Sequence, residues 1–316
     1  MRGHPERGAR FFLSGPVTNA PALRNVFVTG ATGFVGRSLE ARLGVPFRAL
    51  HFADHDWREQ VGRADFRDAT VFHLAARVHG DGSGSPGEFA LDNVEKTRAL
   101  ALAARAGGAR RFVFLSTIKV NGEETGARPF CASDPPHPQD DYARSKWEAE
   151  KVLAGIEGVE TVIVRAPLVY GPGVKGNLRA LLRLADTPWP LPFAAIRNRR
   201  SFVHVDDLAR LLAQCAAAPQ APGAVMLAAH EQPVSTTQLV ATMRRYLGRP
   251  ARLFEMPRSL LEGAAAMGGA GGKVRRLTRS LEIDPTEAMR LAGWRAEVSM
   301  ESAVEDMVRT YREAAR

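Results

Sequence analysis

An α/β chain with a doubly wound parallel sheet and a smaller C-terminal lobe is what this sequence predicts, on three observations. Short apolar runs at 25–29, 47–52, 70–75, 111–115 and 161–165 alternate with helical stretches at 35–43, 88–106 and 142–154, an alternation that builds a right-handed parallel sheet with helices on both faces. A glycine-rich turn, TGATGFVG at Thr29 to Gly36, joins the first strand to the first helix. From Ala166 the texture changes: proline and glycine crowd 166–176 and 186–192, arginines cluster at 197–200, and helices at 206–217, 236–247 and 300–312 are separated by short strand-like pieces. With 316 residues, 45% of them hydrophobic, the chain has material for one large core and a smaller appended one.

The first strand is Asn25-Val26-Phe27-Val28. Behind the glycines, Val35, Leu39 and Leu43 recur at four-residue steps up to Gly44, a helix stop. A strand, a glycine turn and a helix in that order can seat the pyrophosphate of a dinucleotide on the helix N-terminus. Gly30 serves the tight turn, Gly33 the approach of backbone to pyrophosphate, and Gly36 the packing of helix on strand. The candidate cofactor contacts of this turn are Gly30, Thr32, Gly33, Phe34, Val35 and Gly36. A glycine-rich turn can also be no more than a turn, so the assignment leans on the fragments downstream.

After the second run, 47–52, an acidic side chain would hold an adenosine ribose hydroxyl and an arginine would favour a 2′-phosphate. Asp54 leans towards NAD and Arg48 lies within the strand, while a solvated loop aspartate is the plain alternative. The fourth run, Arg111-Phe112-Val113-Phe114-Leu115, leads to Ser116 and Thr117, hydroxyls at the carboxyl edge of a parallel sheet, where ligands sit. YARSK at Tyr142 to Lys146 sets a phenol and an ammonium one helical turn apart. A lysine so placed stabilises a phenolate, so Tyr142 is expected to fall below its ordinary pKa of about 10 and become a usable acid or base. A solvated helix face with Tyr and Lys at this spacing is the competing reading.

The formal net charge of +9 raises nucleic acid as a partner. However, only six of the 43 basic residues are lysine, and the arginines spread over the whole chain rather than forming a stripe. That pattern argues against nucleic-acid binding and leaves some arginines for a diphosphate. Cys131 and Cys215 form no CxxC and the eight histidines do not cluster, so neither a disulfide framework nor a metal site is expected, and a reducing cytoplasm is the expected location. His73 and His204 lie in apolar runs and read as satisfied buried histidines. No run reaches the ~18 apolar residues of a membrane span. Residues 1–24 lack an apolar core, which excludes a signal peptide and reads as a disordered tail.

Taken in order, TGATGFVG, HLAA at His73 to Ala76, Asn93 in DNVEKT, LSTIKV at Leu115 to Val120, YARSK, VRAPLVYGPG at Val164 to Gly173 and RRSFVHVDDL at Arg199 to Leu208 resemble the extended short-chain dehydrogenases, the NAD-dependent epimerase/dehydratase group acting on nucleotide sugars. The resemblance covers about residues 25 to 316. It implies a Rossmann-type sheet, NAD or NADP as cofactor, a nucleotide-diphosphate sugar as substrate, and a homodimer. Thr117, Tyr142 and Lys146 match the catalytic triad and Asn93 the supporting asparagine. Asp54, Leu74, Ala75, Ala76, Ala166 and Leu168 fall beside the cofactor; Arg200 falls on the diphosphate, with Asn177 and Lys119 on the substrate side. The implied division is a dinucleotide domain at 25–165, joined by part of 200–228, and a substrate lobe at 166–199 and 229–316. Residues 37–72 depart from the pattern, being short for the usual two strands and two helices.

The resemblance also narrows the chemistry. Dehydratases of the group carry a carboxylic acid and a carboxylate base, often Asp-Glu, after the threonine; here Ile118-Lys119 supplies neither. Reductases and epimerases need only the triad and a nicotinamide. FLSTIKVNGEET at Phe114 to Thr125, SKWEAE at Ser145 to Glu150 and LVYGPGVKGN at Leu168 to Asn177 look most like reductases of UDP-4-keto-6-deoxy-N-acetylhexosamines, with a UDP-hexose 4-epimerase as the close second. A third reading, a dinucleotide-binding protein without turnover, is weakened because both Tyr142 and Lys146 are present.

Overall fold

The computed structural model describes residues 23–78 and 85–314; the predicted tail lies almost wholly outside them. β1 (Val26–Thr29) is buried along its whole length, and α1 (Phe34–Leu43) follows the glycine turn and stops at Gly44, whose φ of 63° suits a residue without a side chain. Next come β2 (Arg48–Leu50), α2 (Trp57–Arg63) and β3 (Thr70–His73). The stretch expected as one helix over 88–106 is built in three pieces. α3 (Pro86–Phe89) starts from a Ser85/Glu88 capping box and passes through a π-helical turn at Ala90–Glu95 into α4 (Lys96–Ala106). β4 (Arg111–Thr117), a short 3₁₀ turn, α5 (Asp141–Ala154) and β5 (Glu160–Ala166) complete the first half.

The second half runs β6 (Leu168–Tyr170), α6 (Gly176–Ala185), β7 (Phe202–His204), α7 (Val205–Ala217), β8 (Val225–Leu227) and α8 (Thr236–Tyr246). It ends with α9 (Arg258–Met267), α10 (Gly271–Thr278), α11 (Thr286–Ala292) and α12 (Met300–Glu313). Six strands form one parallel sheet in the order β2-β1-β3-β4-β5-β8, while β6 and β7 pair apart from it. Residues 37–72 therefore supply a single strand beyond β1, which is the sheet's rim.

The period of two along each strand makes the sheet doubly wound. Val26, Val28, Phe72, Val113 and Val162 pack with Leu39 of α1 and Leu208, Leu211 and Leu212 of α7. The residues between them, Phe27, Val71, Phe112 and Phe114, face the other way onto Trp57 of α2, Leu100 of α4 and Leu153 of α5. A separate cluster joins Leu178 and Leu182 of α6, Leu239 and Met243 of α8, and Val304 and Met307 of α12. α5 is fixed to the sheet by a buried ion pair, Glu150 to Arg165 of β5 at 2.6 Å, with Ser116 of β4 donating to the same carboxylate at 2.5 Å.

Candidate active site

The glycine turn has the form that a dinucleotide requires. Gly30 adopts φ 70°, and a Cβ there would lie 2.8 Å from the Ala75 amide nitrogen; one on Gly36 would lie 2.3 Å from the Gly30 carbonyl oxygen. Helix and strand thus meet at a distance only glycine allows. Gly33 is the N-cap of α1, which has no side-chain cap and no acidic residue in its first turn. Its leading N–H groups are left for an anion, which fits a pyrophosphate. Leu74, Ala75 and Ala76 follow β3 directly, and the Ala75 amide donates to Thr29 Oγ1 at 3.2 Å.

β4 and α5 bring Thr117 and Tyr142 together, their side chains hydrogen-bonded. Both line an open cleft of about 290 Å³. Asp140 caps α5 by accepting from the Ala143 amide at 2.7 Å, which orients the turn that carries Tyr142. One expectation is corrected here: Tyr142 is not made more acidic. Burial pushes its phenol above the ordinary value, Asp140 adds to this, and only the bond with Thr117 opposes it. Lys146, one turn further along α5, is 1% exposed and lowered to about 7 by burial, against the pull of Glu150. Desolvation acts on both groups and favours the neutral form of each. Among the described residues Lys146 has no hydrogen-bond partner; its ammonium lies 3.8 Å from the centroid of the Phe114 ring. A buried amine with spare donors suits the ribose hydroxyls of a dinucleotide seated at the glycine turn.

The cleft is also lined by cations. Arg200 is buried, with Nη1 donating to the Arg279 carbonyl at 3.0 Å, and burial lowers it to about 10, with neighbouring Arg276 adding to the shift. Arg276 of α10 lines the same cleft; its Nε is buried without a hydrogen-bond partner and faces the Glu123 carboxylate at 3.9 Å. Asn177, at the start of α6, also reaches the cleft. Lys119 lines it too, but its ammonium is taken up by Glu123 at 2.9 Å and by Asp140. Arg276 and Glu123 were not singled out in the sequence: among so many arginines no local signal marks one that only folding brings to a cleft.

Other expected residues play supporting parts. Asn93, in the π-helical turn, accepts from the Arg77 amide at 2.8 Å and donates to the Arg77 carbonyl at 3.0 Å and to Ser145 Oγ at 2.9 Å. It ties the loop after β3 to α5, and its amide is fully engaged. Asp54 lies in a turn past the end of β2, where its carboxylate accepts from Gln60 at 3.4 Å. Leu168 lines the cleft and Ala166 ends β5 beside it. His73 bonds Thr29 at 2.6 Å and Thr97 at 2.8 Å, a satisfied core histidine. His204 accepts from the Asp206 amide at 3.3 Å, but its Nε2 is buried without a partner, so it is only half satisfied. Among the described residues no cluster of three or more His, Cys, Asp or Glu could hold a metal ion, and no helix is long and apolar enough to cross a membrane.

Known proteins resemble this chain in sequence and in fold. The sequence profile of the NAD dependent epimerase/dehydratase family matches residues 26–228. A UDP-glucose 4-epimerase of Vibrio cholerae is 32% identical, over 92% of this chain and 96% of its own. A UDP-2-acetamido-2,6-beta-L-arabino-hexul-4-ose reductase of Pseudomonas aeruginosa is 29% identical, over 58% of this chain and 47% of its own. In fold, the chain is similar to RMD from Pseudomonas aeruginosa complexed with NADPH, with a TM-score of 0.74 at 20% identity over 92% of this chain and 99% of that one. With its glycine cradle, its parallel sheet and a relative matched nearly end to end, the chain belongs to the NAD-dependent epimerase/dehydratase family.

Proposed function

We propose that this enzyme is an NAD(P)-dependent nucleotide-sugar C4 oxidoreductase that reduces a UDP-4-keto-6-deoxy-N-acetylhexosamine with Tyr142 as proton donor. The observation that carries the reading is a single cleft lined both by the hydrogen-bonded pair Tyr142 and Thr117 and by Arg200 and Arg276. A proton donor and a paired cation site so arranged suit a sugar joined to a diphosphate.

When bound, the reduced dinucleotide supplies the hydride delivered to C4. Tyr142, held protonated by burial, gives its proton to the alkoxide forming at that carbon. Thr117 hydrogen-bonds the same oxygen, and Lys146 would hold the nicotinamide ribose through its ammonium. Arg200 and Arg276 bind the diphosphate, which fixes the sugar against Tyr142. No carboxylic acid follows Thr117, where Ile118 and Lys119 stand, so elimination of water at C5 and C6 lacks its acid and base. The reductase of Pseudomonas aeruginosa supports this direction.

A UDP-hexose 4-epimerase is the second reading, favoured by the relative of Vibrio cholerae. The two part on cofactor turnover. Incubation with a UDP-4-keto-6-deoxy-N-acetylhexosamine should consume NADH or NADPH in proportion to product. Protein that carries tightly held NAD and equilibrates UDP-glucose with UDP-galactose unaided would replace the reductase by the epimerase. Cofactor binding with no turnover on any nucleotide sugar would leave a binding protein.

A further inference from the structure

α9 and α10 form a hairpin whose surface is unlike the rest of the molecule. Of the ten residues of α9 only Leu261 is buried; Leu260 is 63% exposed and Met267 88% exposed. From Gly263 to Gly272 there is no charged side chain at all. A surface helix ordinarily turns a charged face to water, and this one turns an apolar face. Two further large apolar side chains, Trp189 at 70% and Phe254 at 43% exposure, sit on the segments that lead in. Those segments are joined where Leu191 N–H donates to the Arg252 carbonyl and Phe254 N–H to the Leu191 carbonyl.

Beside this surface the cations outnumber the acids. Arg258 opens α9, and Lys273, Arg275, Arg276 and Arg279 follow on and just past α10. The single acid of the two helices, Glu262, is paired with Arg279 at 3.2 Å and with Arg258 at 3.7 Å and accepts from Thr278 at 2.5 Å, while Arg275 reaches Glu124 at 3.1 Å and Arg276 lies 3.9 Å from Glu123, so that the cations still outnumber the acids that meet them. An exposed apolar tip between cationic flanks matches an interface of hydrocarbon beneath anionic headgroups. It does not match a second copy of the same hairpin, whose flanks would repel, and an apolar tip gives a nucleic-acid backbone nothing to bind.

We propose that the α9–α10 hairpin docks on an anionic lipid bilayer, with Leu260 and Met267 entering the interface and Arg258 and Lys273 meeting the headgroups. Because α10 runs from the exposed tip to Arg276 in the cleft wall, docking would hold the cleft close to the membrane plane. None of these four residues lines the cleft.

The test is co-sedimentation of the full chain with vesicles of phosphatidylcholine alone and of phosphatidylcholine with phosphatidylglycerol. Binding is expected to the second and not the first, and to fall with salt. Lys273→Ala should weaken it roughly fivefold, the scale of one cation at an anionic surface, and Leu260→Asp with Met267→Asp should abolish it. Both variants should keep wild-type cofactor binding in solution, which shows that they are folded. Three results would each overturn the proposal: no vesicle binding by the wild type, binding indifferent to the Leu260 and Met267 changes, or a dimer in light scattering that those changes dissociate.

Discussion

The ionisable groups at Tyr142 and at Arg200 meet the same burial with different outcomes. Around Tyr142 the ionisable groups have been stripped of water without strong counter-charges, so burial lowers Lys146 to about 7 and pushes Tyr142 upward. At Arg200 the same stripping only brings the guanidinium to about 10, and it stays cationic at neutral pH. The contrast follows from where each group starts: an amine begins close enough to neutrality to cross it, and a guanidinium does not. Lys146 is therefore brought to the edge of neutrality, while Tyr142 stays protonated and Arg200 stays charged.

The most severe change should be Gly33→Val. Its Cβ would press on the Gly30 carbonyl oxygen at 3.0 Å and its methyls would fill the space where α1 receives an anion. Dinucleotide binding by calorimetry should be lost while nucleotide-sugar binding persists, and loss of both would mean that the two sites are not separable. Tyr142→Phe comes next, with turnover reduced by roughly a hundredfold, the scale of a removed general acid, and KM little moved. Near-normal turnover would erase the distinction between Tyr142 and Arg200. Arg200→Ala should do the reverse, raising KM for the nucleotide sugar roughly tenfold with kcat nearly kept, since a charge-assisted contact is lost in ground and transition states alike.

The smallest effect concerns Lys146 and stability. Its folded pKa of about 7 lies below the unfolded value of about 10.4. Between those limits the unfolded chain holds more protons than the folded one, so this group's contribution to stability rises with pH across that window. Below it the full cost of burying the charge is present. Lys146→Met should therefore raise Tm most near about pH 6 and progressively less toward about pH 10. A gain that does not vary with pH would show that the amine is not desolvated as described.

The sequence made the sheet half readable because each strand carries its pattern locally. Val26, Phe27 and Val28 alternate between faces, and Val35, Leu39 and Leu43 mark α1 before Gly44 closes it. α6, α9, α10 and α11 went unread: proline and glycine crowd the approach to α6, and the Ala-Gly run of α9 has no apolar stripe to count. The π-helical turn left no trace either, since Asn93 earns its place through Arg77 and Ser145, contacts that exist only after folding. Tyr142 and Lys146 were visible as a spacing, but the direction in which their proton affinities move depends on burial, which no spacing encodes.

The lone strand outside β1 has a bearing on how such a molecule can change over time. A parallel sheet that loses its outermost member leaves every interior pairing, from β1 through β5, in its original register. On the proposed reading, a cofactor preference set at β2 and the turn around Asp54 can thus be rewritten by trimming or regrowing the margin, while the hydroxyl and phenol at the ends of β4 and α5 keep their places. Such a chain can acquire a new taste in cofactor without disturbing the groups that meet the sugar.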